Sequence, residues 1–120
     1  MLLVDDEPDI LEVASVALQA LRGWQVATAG NGTDAVAAAR AEPPDAVVLD
    51  VMMPGLDGPA TLAELRRHPE TADVPVVFLT AKVQVVDRQR LAALGARGVL
   101  AKPFDPTTLG DEIAALLGWD

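Results

Sequence analysis

Five short apolar runs, each followed by a stretch with helical spacing, set the terms on which this chain can fold. The runs are Leu2-Leu3-Val4, Gln25-Val26-Ala27-Thr28, Ala46-Val47-Val48-Leu49, Val76-Val77-Phe78-Leu79 and Val99-Leu100-Ala101. Most are continuous rather than alternating, which is how strands covered on both faces read. Between them, Leu11, Ala14, Leu18 and Leu21 share one face of a first helix, and Leu109, Ile113 and Leu116 one face of a last. The punctuation agrees. Asn31 can cap a second helix that Pro43-Pro44 stops, and Asp57 a third that ends before Pro69. Gly95 falls where a helix C-terminus takes a left-handed residue, and Asp105-Pro106 reads as an N-cap followed by a first-turn proline. Strict strand-helix alternation implies an α/β fold, a parallel sheet with right-handed crossovers and helices on both faces. No internal repeat, linker or low-complexity tract interrupts residues 1–120, so one domain is expected.

Composition narrows the partners. Hydrophobic residues make up 51% of the chain but aromatics only 3%, so Ala, Val and Leu must build the core. A net charge of -9 argues against a nucleic-acid or anionic-membrane surface and favours a cation or a basic protein face. The chain has no cysteine, which removes disulfides, thiolate metal sites and a Cys nucleophile. There is no apolar run of the ~18 residues a membrane span needs, and no signal-peptide pattern at the N-terminus. A cytoplasmic location is the expectation.

In a doubly wound sheet the ligand site lies beyond the carboxyl ends of the strands, where strand order reverses. Here "LLVDDE" puts Asp5 and Asp6 at the end of the first strand and "VVLD" puts Asp50 at the end of the third. "VFLT" places Thr80 after the fourth, and "VLAKP" places Lys102 after the fifth. If the strand order is 2-1-3-4-5, the three acids share one cleft. Two carboxylates about 5 Å apart repel by about 3 kcal/mol at an effective dielectric of about 20, so the cluster must take up a proton or a cation. An all-oxygen site of this kind suits Mg²⁺. Each residue also has a plainer reading. Asp5 or Asp6 before Pro8 is a common helix start, Asp50 before Pro-Gly a turn former, and Thr80 a surface hydroxyl. Lys102 stands out more, because the chain carries seven Arg and two Lys. Singly these residues are ordinary; it is their position at matching strand ends that points to a site.

These residues resemble the receiver domain of two-component response regulators, of the chemotaxis-regulator kind. The likeness runs from "LLVDDEPDI" through "DVMMPGLDG" and "VVFLTAK" to "LGARGVLAKPFDP", essentially the whole chain. It implies a flavodoxin-like (βα)5 domain with a five-stranded parallel sheet in the order 2-1-3-4-5. It implies that Asp50 is the phosphoacceptor, attacking the phosphohistidine of a sensor histidine kinase or histidine phosphotransfer protein. Mg²⁺ (or Mn²⁺) would be bound by Asp6, Asp50 and the backbone carbonyl of Met52, with Asp5 acting largely through water. Lys102 would pair with Asp50 and then with a phosphoryl oxygen, and the Thr80 hydroxyl would move to another. Thr80, Ala81, Lys82, Met52 and Val99 would form the switching and modulating positions. A cis peptide between Lys102 and Pro103 is also implied. Such a domain is a signalling phosphoacceptor with intrinsic autophosphorylation and autodephosphorylation, not an enzyme with a separate substrate. It needs neither nucleic acid nor membrane, and a weak or phosphorylation-dependent dimer is compatible with it. His68, the only histidine, falls at the end of the third helix, away from the cleft.

Three positions depart from the family pattern. Val99 stands where a Tyr or Phe is usual, Met52 lies two residues after the acceptor, and Lys82 two after Thr80. The first bears on the output switch, the others on phosphoryl lifetime. A haloacid-dehalogenase-type phosphatase would need a second acid where Met52 stands. A degenerate receiver serving only as a docking module keeps the fold without the chemistry, and a small phosphodonor separates it from a receiver that accepts a phosphoryl group. With no effector segment after Trp119, the expectation is either a single-domain regulator or an excised receiver; the cognate kinase, pathway and output are not legible.

Overall fold

The computed structural model describes residues 1–81 and 85–119. Its elements alternate without exception: β1 (Leu2–Val4), α1 (Pro8–Arg22), β2 (Ala27–Ala29), α2 (Gly32–Ala41), β3 (Val47–Asp50), α3 (Gly58–Arg67), β4 (Val76–Thr80), α4 (Val85–Ala93), β5 (Gly98–Ala101) and α5 (Leu109–Leu117). The strands pair in parallel in the order β2-β1-β3-β4-β5, as the order of elements and the resemblance implied. The register sets Val4 beside Leu49, Asp50 beside Leu79 and Thr80 beside Ala101, so the strand ends that carry polar residues are level.

Alternation within the strands divides the core in two. Leu2, Val4, Val47, Leu49, Val76 and Phe78 face α2, α3 and α4, where Ala35, Ala39, Leu62, Leu65 and Leu91 meet them. Leu3, Val48, Val77, Leu79 and Leu100 face α1 and α5, against Ala14, Leu18, Leu109, Ile113 and Leu117. Phe78 is the one aromatic side chain that is fully buried among the described residues, while Trp24, Phe104 and Trp119 pack partly buried against the second cluster.

The helix boundaries follow local chemistry. The Asn31 and Asp57 side chains accept hydrogen bonds from the amides of Asp34 and Ala60, as N-caps should. α2 stops at Ala41, before the two prolines, and α3 at Arg67, with His68 as its C-cap. Gly95 takes φ 101°, a conformation that favours glycine. The Lys102-Pro103 bond is cis.

Three sequence expectations are corrected. The second strand begins at Ala27, not Gln25, because Leu2 pairs with Ala27 and the preceding residues lie beyond the edge of the sheet. Leu21 is 60% exposed, since Leu18 is the last α1 residue buried in the α1/α5 layer. Asp105-Pro106 does not cap α5 directly. The Asp105 carboxylate accepts from the amide and hydroxyl of Thr107 in a tight turn, its carbonyl receives the Leu109 amide, and Thr108 is the cap position.

Candidate functional site

The carboxyl ends of β1, β3, β4 and β5 enclose an acidic cleft. Asp50 is the last residue of β3 and is 3% exposed. It is held from both sides, since Val51 donates its amide to the Leu79 carbonyl at 3.1 Å and the Met52 amide lies 3.4 Å from Asp50 Oδ1. Asp5, directly after β1, is 1% exposed. Its Oδ1 accepts the Glu7 amide at 2.9 Å, which turns the chain into α1. Asp6 beside it is exposed. Lys102 follows β5, and its amide donates to the Thr80 carbonyl at 2.8 Å.

The ammonium of Lys102 is shared unequally. It stands 2.6 Å from Asp5 Oδ2, 3.4 Å from Asp50 Oδ1 and 3.8 Å from Glu7. Burial works against its charge, but the hydrogen bonding and charge of Asp5, with a further contribution from Asp50, outweigh it and hold the lysine above its ordinary value. Asp50 shows the opposite balance. Burial and then the negative charge of Asp5 push its carboxyl up to about 6, although Lys102 and the Met52 amide pull the other way.

One lysine does not satisfy this cluster. One oxygen from each of Asp5, Asp6 and Asp50 can lie within 4.8 Å of the others, close enough to share a cation. The buried Asp5 Oδ2 meets the Lys102 ammonium and no other partner among the described residues, which leaves it room to bind a cation as well. An all-carboxylate donor set with an under-satisfied buried oxygen fits a hard divalent cation.

The structure brings Asp5, Asp6, Asp50, Thr80 and Lys102 to one end of the sheet, as the sequence indicated. Thr80 is 1% exposed, so the plain reading of a surface hydroxyl does not hold. The Met52 side chain is 62% exposed beside Asp50, and Ala81 is exposed after β4. Val99 is half-buried, packed against the cluster that includes Leu91. Lys82 lies outside the described residues. His68 is half-buried at the end of α3, its Nε2 3.9 Å from Glu64. The sequence did not single out Glu7 as a neighbour of Lys102; its place in the run "DDEP" was the available signal.

A parallel β2-β1-β3-β4-β5 sheet with acids at two adjacent strand ends and a lysine after the fifth defines a class of signalling domain. The chain belongs to the response regulator receiver domain family, whose model matches residues 1–114. It is 44% identical over 117 residues to the probable transcriptional regulatory protein TcrX of Mycobacterium tuberculosis, covering 98% of this chain and 49% of that protein. To protein PilH of Pseudomonas aeruginosa it is 41% identical, covering 98% and 96%. The chemotaxis response regulator CheY4 of Vibrio cholerae superposes with a TM-score of 0.89 at 33% identity, covering 96% of this chain and 95% of that one. The chain thus spans about half the length of TcrX and nearly all of PilH. Receiver domains of response regulators work with histidine kinases or phosphotransfer proteins. Among the described residues no helix is long and apolar enough to cross a membrane.

Proposed function

We propose that Asp50 accepts a phosphoryl group from a phosphohistidine on a histidine kinase or phosphotransfer protein, and that residues 1–120 act as a single receiver domain in the cytoplasm. The observation that carries this reading is the placement of Asp50. A carboxylate fixed at the end of a central strand lies beside an ammonium and beside two further acids that could hold a cation with it, so positive charge can be gathered around an incoming dianion. One Asp50 oxygen forms a bond to phosphorus as the phosphorus–nitrogen bond breaks. The electron pair stays with the imidazole, whose other ring nitrogen carries the proton that leaves it neutral. Such transfer depends mainly on positioning and electrostatics.

Asp6, Asp50 and the Met52 carbonyl would hold Mg²⁺ or Mn²⁺, with Asp5 behind them; when bound, the ion supplies positive charge to the phosphoryl oxygens. Lys102 leaves Asp5 for a phosphoryl oxygen, and the Thr80 hydroxyl donates to another. The domain thereby catalyses its own phosphorylation and dephosphorylation and turns over no separate substrate.

Incubation with acetyl phosphate or phosphoramidate, followed by mass measurement, tests this. One phosphoryl group should be gained in Mg²⁺, and none in EDTA or in Asp50→Asn. Absence of labelling in the wild-type protein with Mg²⁺ would favour the docking-module reading.

A further inference from the structure

The loop Val51–Asp57 follows the acceptor and carries the Met52 carbonyl. It is closed by a hydrogen bond from the Gly58 amide to the Val51 carbonyl at 3.0 Å. Gly58 opens α3 and is buried. A Cβ built there would lie 2.5 Å from the Asp50 carbonyl oxygen, 2.7 Å from Val51 Cα and 3.2 Å from the Asp50 carbonyl carbon. All three neighbours are backbone, so none can rotate aside. Its φ lies outside the left-handed region, so close approach rather than conformation is what calls for glycine here.

We propose that Gly58 is a positioning residue for the acceptor. Its missing side chain lets the start of α3 press directly on the Asp50–Val51 peptide and so sets where the Asp50 carboxylate and the Met52 carbonyl lie. Carbon atoms pack at about 3.5–4.0 Å, so a methyl group here forces the end of β3 and the start of α3 apart by on the order of 1 Å. A misplacement of about 1 Å at a reacting centre can cost about 10²-fold. The helix reaches the same place from its other side. The Thr61 hydroxyl donates to the Asp57 carbonyl at 2.7 Å, and a Cβ on Gly32 of α2 would lie 2.7 Å from the Leu56 carbonyl. The end of the loop is thus held to the first turn of α3 and packed closely under α2.

The inference rests on the phosphoacceptor reading for its rate effect but not for its effect on cation binding, so both are measured. Gly98→Ala is the control, because its Cβ would meet the Leu116 side chain at 2.5 Å, away from the acidic cleft. For Gly58→Ala we expect Mg²⁺ affinity, followed by amide chemical shifts without phosphodonor, to fall several-fold. The maximal rate of phosphorylation by acetyl phosphate should fall by roughly ten- to a hundredfold, while Gly98→Ala keeps both wild-type values. If the variant unfolds under assay conditions, the measurements are repeated in sucrose, which favours the compact state. Wild-type Mg²⁺ affinity and rate in folded Gly58→Ala would overturn the proposal. So would failure to fold in sucrose while Gly98→Ala folds, since Gly58 would then serve the architecture alone. If the wild-type protein takes no phosphoryl group, the acceptor reading fails, and the Mg²⁺ measurement still decides the role of Gly58.

Discussion

Lys102 Nζ stands 2.6 Å from Asp5 Oδ2, closer than its 3.4 Å approach to Asp50 Oδ1. In this state the lysine is therefore clasped by the acid after β1 rather than by the acceptor. Any cation entering between the carboxylates competes with it for the same oxygens.

That competition gives a prediction for Lys102→Met. Removing one partner from a buried charge pair leaves the other uncompensated and typically costs about 3 kcal/mol or more. The variant should be less stable than wild type in EDTA at neutral pH and recover most of the loss in Mg²⁺. It should also bind Mg²⁺ more tightly, since the competing ammonium is gone, while responding weakly to phosphodonor. Thermal melts and a Mg²⁺ titration check this; weaker Mg²⁺ binding than wild type would contradict it.

The raised Asp50 pKa makes a prediction about acid. The folded state holds the Asp50 proton up to about pH 6, whereas an ordinary aspartate loses it near 3.8. Between those values the native protein binds more protons than the unfolded chain, so stability falls as pH rises. The penalty is absent below 3.8 and fully present above 6; two pKa units correspond to about 3 kcal/mol. Asp50→Asn should gain stability over wild type as pH rises from about 4 to 6 and keep a constant margin above that. Denaturant unfolding of both proteins across this range measures the difference, and a margin that shrinks with rising pH would be the wrong sign.

The parallel sheet and the acids at strand ends were legible because both depend on the order of elements and on which residues end strands, whereas the strand order that joins them in one cleft came from the family resemblance. Asp50 follows Val47-Val48-Leu49 and Lys102 follows Val99-Leu100-Ala101 whatever the fine packing. The Lys102-to-Asp5 pairing was not legible, since it depends on side-chain geometry across two non-adjacent strands. Thr80 gave no sign of its burial, because a hydroxyl at a strand end reads the same inside or out. The start of β2 was misplaced for a related reason. It is an edge strand with two exposed residues in three, so its hydrophobic pattern is too weak to fix a register.

Met52 bears on the lifetime of the acyl phosphate. That bond is lost when water attacks phosphorus in line, and a carboxylate or amide near the mouth can orient the water. The exposed Met52 thioether offers no such group. Autodephosphorylation should therefore be slow for a receiver, and Met52→Asn should speed it several-fold. Decay of the phosphorylated protein after removal of donor measures this; an unchanged or slower rate would show that Met52 has no such role.

Val99 makes the last prediction. An aromatic at this position could turn between a buried and an exposed site as Thr80 moves, and so carry the change to the face formed by α4, β5 and α5. Valine is β-branched and stiff at χ1, and here it is already half-buried against the cluster containing Phe78 and Leu91. It has neither the reach nor the rotamer freedom to exchange one site for the other. Thr80, by contrast, sits at the end of β4 with its carbonyl bonded to the Lys102 amide, so movement at the acceptor can pass through backbone to the start of the next loop. Amide chemical shifts compared with and without beryllofluoride and Mg²⁺ should therefore change most at Asp50, Thr80, Ala81 and Lys102, and little at Val99 and its strand neighbours. Large shifts centred on Val99, with small ones at Thr80 and Ala81, would mean that the β5 face switches without an aromatic lever and that side-chain size does not set the route.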